Sequence, residues 1–280
     1  MFSEALRLSW IGAVLLACCH FATAEDAEEN LLQKAAQASA RGDSGQATDV
    51  LTEVITKNPK QSLAFYLRGR ENFRAGKIKE SVSDLDKHVE LATAKDPKAE
   101  ARQWERGISY YYAGEFEKGA KQFKLYQTFH DQDVENSTWR YLCVARKDGV
   151  EMARKNLLPI SDDRRVPMMQ IYDLYRGKLK PEDVLAAAEA GEQTREPGKP
   201  KKEVEKPIKE VGEPTKEALN RQLFYAHLYI GLWHEAAGEK ELAKKHILES
   251  EKHKIGHYMW DVAHVHADLL RSQEKEKKKE

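Results

Sequence analysis

The chain has 280 residues, 41% hydrophobic and 33% charged, with 46 basic against 46 acidic side chains. That length allows one or two domains with a sizeable core. The zero formal net charge removes any general electrostatic case for nucleic acid or an anionic membrane as partner.

Residues 1–24 read as a secretory signal peptide. Arg7 precedes the apolar run "WIGAVLLACC", too short to span a bilayer comfortably, and Ala22-x-Ala24 is a small-residue cleavage site. Cleavage after Ala24 would export the mature chain as a periplasmic or secreted protein. "LLAC", ending at Cys18, approximates a lipobox, so a lipoprotein tethered to the membrane through Cys18 is the alternative. After cleavage Cys143 remains of the three cysteines, so no internal disulfide can form and packing must hold the fold. With no histidine nearby in sequence, Cys143 in "WRYLCVARK" reads as a buried thiol rather than a nucleophile.

Residues 25–130 carry an internal repeat. Gly76 lies 34 residues after Gly42, and Gly114 a further 38. Seven residues before these glycines stand Ala35, Gly69 and Gly107; five after, Ala47, Ser81 and Gly119; nine after, Leu51, Leu85 and Phe123. Gly238 repeats the pattern downstream with Gly231, Ala243 and Ile247. Small residues on both sides of a turn let two antiparallel helices approach closely. The central glycine suits the left-handed conformation that ends a helix, and the large apolar residue projects into the seam. Pro59 and Pro97 stop the second helices of the first two units.

This pattern, over residues 28–130 and 224–257, resembles the tetratricopeptide repeat, a specific signal for fold and a weak one for function. The order "RGISYYYAGEFEKGAKQF", "STWRYLCVAR", "IYDLYRGKLKPEDVLA", "FYAHLYIGLWHEAAGEKELAKKHI" resembles the envelope tetratricopeptide lipoproteins of Gram-negative bacteria. That resemblance implies an adaptor whose partners are a tail-specific envelope protease and cell-wall (peptidoglycan) hydrolases. The chain departs from the pattern in its lipobox and in an inserted linker.

Residues 131–191 are helical in period but lack the hairpin signature, and read as degenerate helical pairs with Gly149 and Gly177 at turns. Residues 192–217 are Lys, Glu and Pro with almost no apolar side chains, which predicts a disordered or extended charged linker. Residues 218–271 hold the last hairpin and a capping helix, "YMWDVAHVHADLL", with Val262, Val265 and Leu269 on its apolar stripe. Residues 272–280 form a charged tail, expected to fray.

The motifs of catalysis are missing. "HEAAG" at 234–238 has Gly238 where a zinc protease has histidine, and "GKPKKE" has no strand before it. Seven of the ten histidines fall between 227 and 266. His253 and His257, four apart, raise a metal alternative; histidines at outer positions of amphipathic helices are the competing reading. On the first helix of each hairpin, positions facing the neighbouring hairpin build the core and the others line a concave groove. In this register Tyr110 is core, whereas Trp104, Ile108, Tyr111 and Tyr112 face the groove, joined by Tyr66, Arg70, Phe73 and Arg74 from the preceding unit. Packing between repeats competes with binding for each of them. Aromatic side chains beside arginine are hot-spot composition. Peptide segments or protein termini would dock there, with the arginines pairing acidic groups or a C-terminal carboxylate. The lysine–asparagine clamp of some tetratricopeptide repeats has Tyr66 and Arg70 at its positions here.

The sequence thus predicts an all-α, tetratricopeptide-type α-solenoid of antiparallel helical hairpins with degenerate central helices. It would be a non-catalytic adaptor for other proteins, without cofactor, metal or nucleic acid. Metal binding through the C-terminal histidines, or self-assembly as a structural envelope homo-oligomer, are the alternatives.

Overall fold

The computed structural model describes residues 24–191 and 214–277. The signal-peptide residues 1–23, linker residues 192–213 and tail residues 278–280 lie outside the described residues. Everything regular among the described residues is helical. Three hairpins open the chain: α1 (Ala24–Ala40) with α2 (Ser44–Lys57), α3 (Ser62–Arg74) with α4 (Ile78–Thr93), and α5 (Trp104–Tyr112) with α6 (Phe116–Tyr126). Helix α7 (Val134–Asp148) and the shorter α8 (Val150–Lys155), α9 (Met168–Tyr175) and α10 (Pro181–Ala190) follow. Then come α11 (Lys216–Ala236), α12 (Lys240–Lys252) and the long α13 (Tyr258–Lys277).

The repeat positions of the sequence become paired contacts. Gly42, Gly76, Gly114 and Gly238 adopt φ of 71–81°. Just after each, one amide reaches five residues back: Asp43 to Ala38, Lys77 to Asn72, Glu115 to Tyr110 and Glu239 to His234, at 2.8–3.0 Å. This six-to-one bond caps the first helix and turns the chain into the second. The residue seven before the turn then meets the residue nine after it. A Cβ on Gly69 would come within 2.9 Å of Leu85, on Gly107 within 2.7 Å of Phe123, and on Gly231 within 2.8 Å of Ile247. Small and large positions are therefore two halves of one contact, repeated in each hairpin. The chain is an all-α solenoid of tetratricopeptide type.

Cys143 is fully buried on α7, its Sγ 2.8 Å from where a Cβ on Gly119 would stand. Burial pushes the thiol far above its usual range, so it is packing material.

Two boundaries differ from composition. Lys216 and Glu217, polar enough to read as linker, form the first turn of α11, where the Thr215 hydroxyl accepts from the Ala218 amide at 3.2 Å. A charged first turn under a threonine cap is ordinary helix chemistry. Helix α13 continues past Arg271 to Lys277. Its Lys244–Glu274 ion pair ties that extension to α12. Val262 and Val265 are buried as expected, whereas Leu269 is 40% exposed, so the buried stripe turns away from it.

Candidate protein-binding surface

Helix α13 does more than close the end of the solenoid. From α12 the chain turns back and lays α13 across α3 and α5, joining residues almost 190 positions apart: the Arg74 Nε–H donates to Asp261 at 2.8 Å. Tyr258, at the first position of α13, enters between Phe73 and Trp104, ring centroids 5.7 and 5.6 Å away. The Arg70 guanidinium lies over its face at 4.6 Å. Farther along, the Tyr112 hydroxyl and His266 Nδ1 share a hydrogen bond of 2.9 Å. His257, just before the helix, stacks on Trp104 with planes 6° apart.

The eight candidate residues are brought together on one face, and that face is covered. Phe73 and Ile108 are fully buried and Tyr111 almost so; Tyr66, Arg70, Arg74, Trp104 and Tyr112 are partly buried. An open groove lined by all eight is therefore corrected. For Phe73, Ile108 and Tyr111, packing is what the structure shows. Tyr111 meets Trp139 at 5.4 Å edge to face, and Trp139 also stacks near Phe123. A single helix period cannot separate core from groove, because it records only which residues share a face and not what lies across from them.

The two arginines also part ways. Arg74 is spent inside the molecule. It donates to Ser39 Oγ at 2.8 Å and pairs with Glu71 as well as Asp261. Glu71 in turn accepts from Ser39 and Ser44 at 2.7 and 2.8 Å. Arg70 has no ion pair among the described residues. Its Nη1 donates to the Tyr66 hydroxyl at 3.3 Å, and its buried Nε–H has no partner. Tyr66 donates in turn to Glu105 at 2.6 Å; burial, then that carboxylate, push the phenol well up. Beside Arg70 opens a cavity of about 540 Å³. Arg41, from the α1–α2 turn, and Lys254, from the α12–α13 connection, share its lining. Arg41 donates to Gln46 at 2.8 Å and Lys254 sits over the Trp260 ring. The accessible chemistry of this face is thus basic, with aromatic flanks.

Lys254, His257, Tyr258 and Asp261 were missed by the sequence reading as groove residues. The run "HYMWD" at 257–261 was the available signal, but nothing local says that it returns to α3.

The histidines have other work. Residues 253–257 form the connection between α12 and α13, so His253 and His257 do not share a helix face. His253 stacks on His227 at 5.9 Å, His227 on His246 at 5.1 Å, and His246 on His234 at 5.6 Å, making a column of four rings. The His227 and His246 Nδ1 atoms share a hydrogen bond of 3.0 Å. Among the described residues, no group of three or more His, Cys, Asp or Glu is placed to hold a metal ion. Burial holds His227, His246 and His266 below the usual imidazole range, with neighbouring His227 adding to the effect on His246, which falls to about 4. Unfolded, these rings protonate near 6.5. Their contribution is therefore complete above that pH and is lost as pH falls below 6.5, for His246 down to about 4. The urea midpoint should drop across that window, and His246→Gln should flatten the drop; an unchanged slope would remove the column from the account.

No protein-family model matches the chain, and no curated protein matches it. Among solved structures it is similar to "MamA RS-1 ArsTM double mutant", with 10% identity, a TM-score of 0.44, and coverage of 81% of this chain and 94% of that one. A tetratricopeptide repeat protein from Parabacteroides merdae gives 16% identity, a TM-score of 0.42 and coverage of 87% and 98%. A chain of the Naa15/Naa10 structure bound to HypK-THB gives 17%, 0.36, 89% and 35%.

Proposed function

We propose that this chain is a non-catalytic scaffold that binds segments of other proteins on its inner face. The observation that carries the reading is the docking of α13. Tyr258 is held between Phe73, Trp104 and Arg70, and Asp261 by Arg74. The inner face thus has the chemistry of a surface that binds an amphipathic helix through one aromatic anchor and one carboxylate. Arg70, with Arg41 and Lys254 around the 540 Å³ cavity, is what remains for a partner. An acidic side chain or a C-terminal carboxylate would satisfy it. The signal-peptide features of residues 1–24 and the resemblance to envelope lipoproteins support export to a bacterial envelope, free or tethered through Cys18. They also favour an envelope protease or cell-wall hydrolase as partner.

The test is retention from native envelope extract by residues 25–280 and by an Arg70→Gln/Lys254→Gln variant of equal helicity and melting temperature. Lys254 is exposed and Arg70 partly buried; because Arg70 also lies over Tyr258, the variant must in addition show α13 as protected from protease as in the wild type. Named proteins held by the wild type should be lost, or held roughly tenfold less, on removing the charge-assisted bonds. If both baits hold the same set, the inner face is not where partners bind.

A further inference from the structure

Below Trp104 lies a second, smaller cavity of about 220 Å³, the room of one long side chain, between α5, α6, α7 and the start of α13. Its chemistry is opposite to that of the Arg70 cavity. Trp104, Phe123, Tyr126 and Trp139 supply aromatic walls. These rings are held in place: Trp139 lies against Phe123 with planes 20° apart, and His257 stacks on Trp104. Asp133, the N-cap of α7, and Glu135, in its first turn, supply the acidic side.

Arg165 binds this acidic side. Arg165 donates to Asp133 at 2.7 Å, to Glu135 at 2.6 Å and to Asp163 at 2.6 Å. Of these carboxylates Asp133 and Glu135 line the cavity, and the His130 imidazole, also in the lining, lies 3.9 Å from Asp133. The other Glu135 oxygen accepts from the Tyr229 hydroxyl at 2.8 Å. Burial, with Asp133 alongside, still pushes Glu135 up to about 7 against the pull of Arg165. Asn136 adds an acceptor. Its amide N–H groups are spent on the Phe123 carbonyl at 3.1 Å and Gln127 Oε1 at 3.0 Å, while its Oδ1, on a residue only 3% exposed, has no partner. Aromatic faces, the carboxylates of Asp133 and Glu135 and the unused Asn136 acceptor suit a cation that carries N–H groups, and the unpartnered Trp139 indole N–H is left for an acceptor on the same segment.

We propose that this cavity receives a lysine or arginine side chain of the protein segment docked on the inner face. The proposal rests on the reading of that face as a protein-binding surface and adds what the partner must carry. With Arg70 one cavity away, the partner segment presents an acidic group and a basic one, each to the cavity of opposite sign.

The experiment uses residues 25–280, with Nα-acetyl-lysine methylamide, its norleucine counterpart and tetramethylammonium as probes up to tens of millimolar. The indole N–H signals of Trp104 and Trp139 are followed by NMR. The lysine probe is expected to shift both signals saturably, and norleucine and tetramethylammonium, lacking charge or N–H, at least about tenfold less effectively. Asp133→Asn keeps the α7 cap, since asparagine caps as aspartate does, but gives up the Arg165 ion pair; it should weaken lysine about tenfold, compared at a temperature where circular dichroism shows both forms folded. Binding of norleucine as tight as lysine, or no saturable shift with lysine, overturns the proposal. Because the probe needs no partner protein, lysine binding alongside unchanged retention by the Arg70 variant would sink the inner-face reading alone. Lost retention with no lysine shift would sink only this cavity.

Discussion

Gly231→Val is expected to lower the unfolding free energy by about 3 kcal/mol, the upper part of the range for over-packing a filled core. The position sits mid-helix in α11, where valine would otherwise be tolerated better than glycine. What opposes it is contact. A Cβ there comes within 2.8 Å of Ile247 Cδ1 and 3.0 Å of the Ile247 backbone nitrogen, so the hairpin itself must spread. Gly238, seven residues on, is the control. A Cβ there meets nothing within 4 Å, but φ is +81°, and alanine should cost about 1–2 kcal/mol from the left-handed backbone alone. Asparagine, which tolerates that conformation through its own local hydrogen bonds, should recover part of the loss at Gly238 and none at Gly231. Urea unfolding of the four variants checks this. Equal recovery by asparagine at both sites would mean that turn geometry, not helix approach, is the reason for both glycines.

Tyr258→Ala should cost about 3–5 kcal/mol, as for other buried aromatic truncations, and should loosen α13 from α3 and α5. Tyr258→Phe should be neutral or stabilising by up to about 1 kcal/mol, because the Tyr258 hydroxyl is buried without a partner and its loss removes a desolvation cost. Protease cleavage in α13 under native conditions should rise in the alanine variant and stay unchanged in the phenylalanine one. The pair separates two accounts of the anchor. If phenylalanine destabilises as alanine does, the hydroxyl has a role that the ring contacts with Phe73 and Trp104 do not explain. If alanine leaves α13 protected, the remaining contacts, the Arg74–Asp261 ion pair and the Tyr112–His266 hydrogen bond among them, suffice to hold the helix, and Asp261→Asn becomes the next variant to test.

The alternation of Ala35, Gly69, Gly107 and Gly231 with Leu51, Leu85, Phe123 and Ile247 was readable because its cause is local. A hairpin closes over sixteen residues, so the chemistry that fixes it recurs at fixed spacing in one segment of chain. The turn glycines were legible for the same reason, and the burial of Cys143 was legible from the apolar Leu142 and Val144 that flank it, though its packing partner Gly119 was not.

By itself, then, the sequence determined the hairpins, their turns, the helical class and the residues that share the inner face. Only the tertiary structure decided what that face meets. Arg74 and Asp261 are 187 positions apart, and Arg165 reaches back some 30 positions to Asp133 and Glu135. No period in the chain encodes either meeting. Tyr111 is core through Trp139 on α7; which arginine is spent and which is left, and that Phe73 is core, follow from where α13 comes to rest. That place is set by shape and charge complementarity between surfaces that exist only once the solenoid has formed.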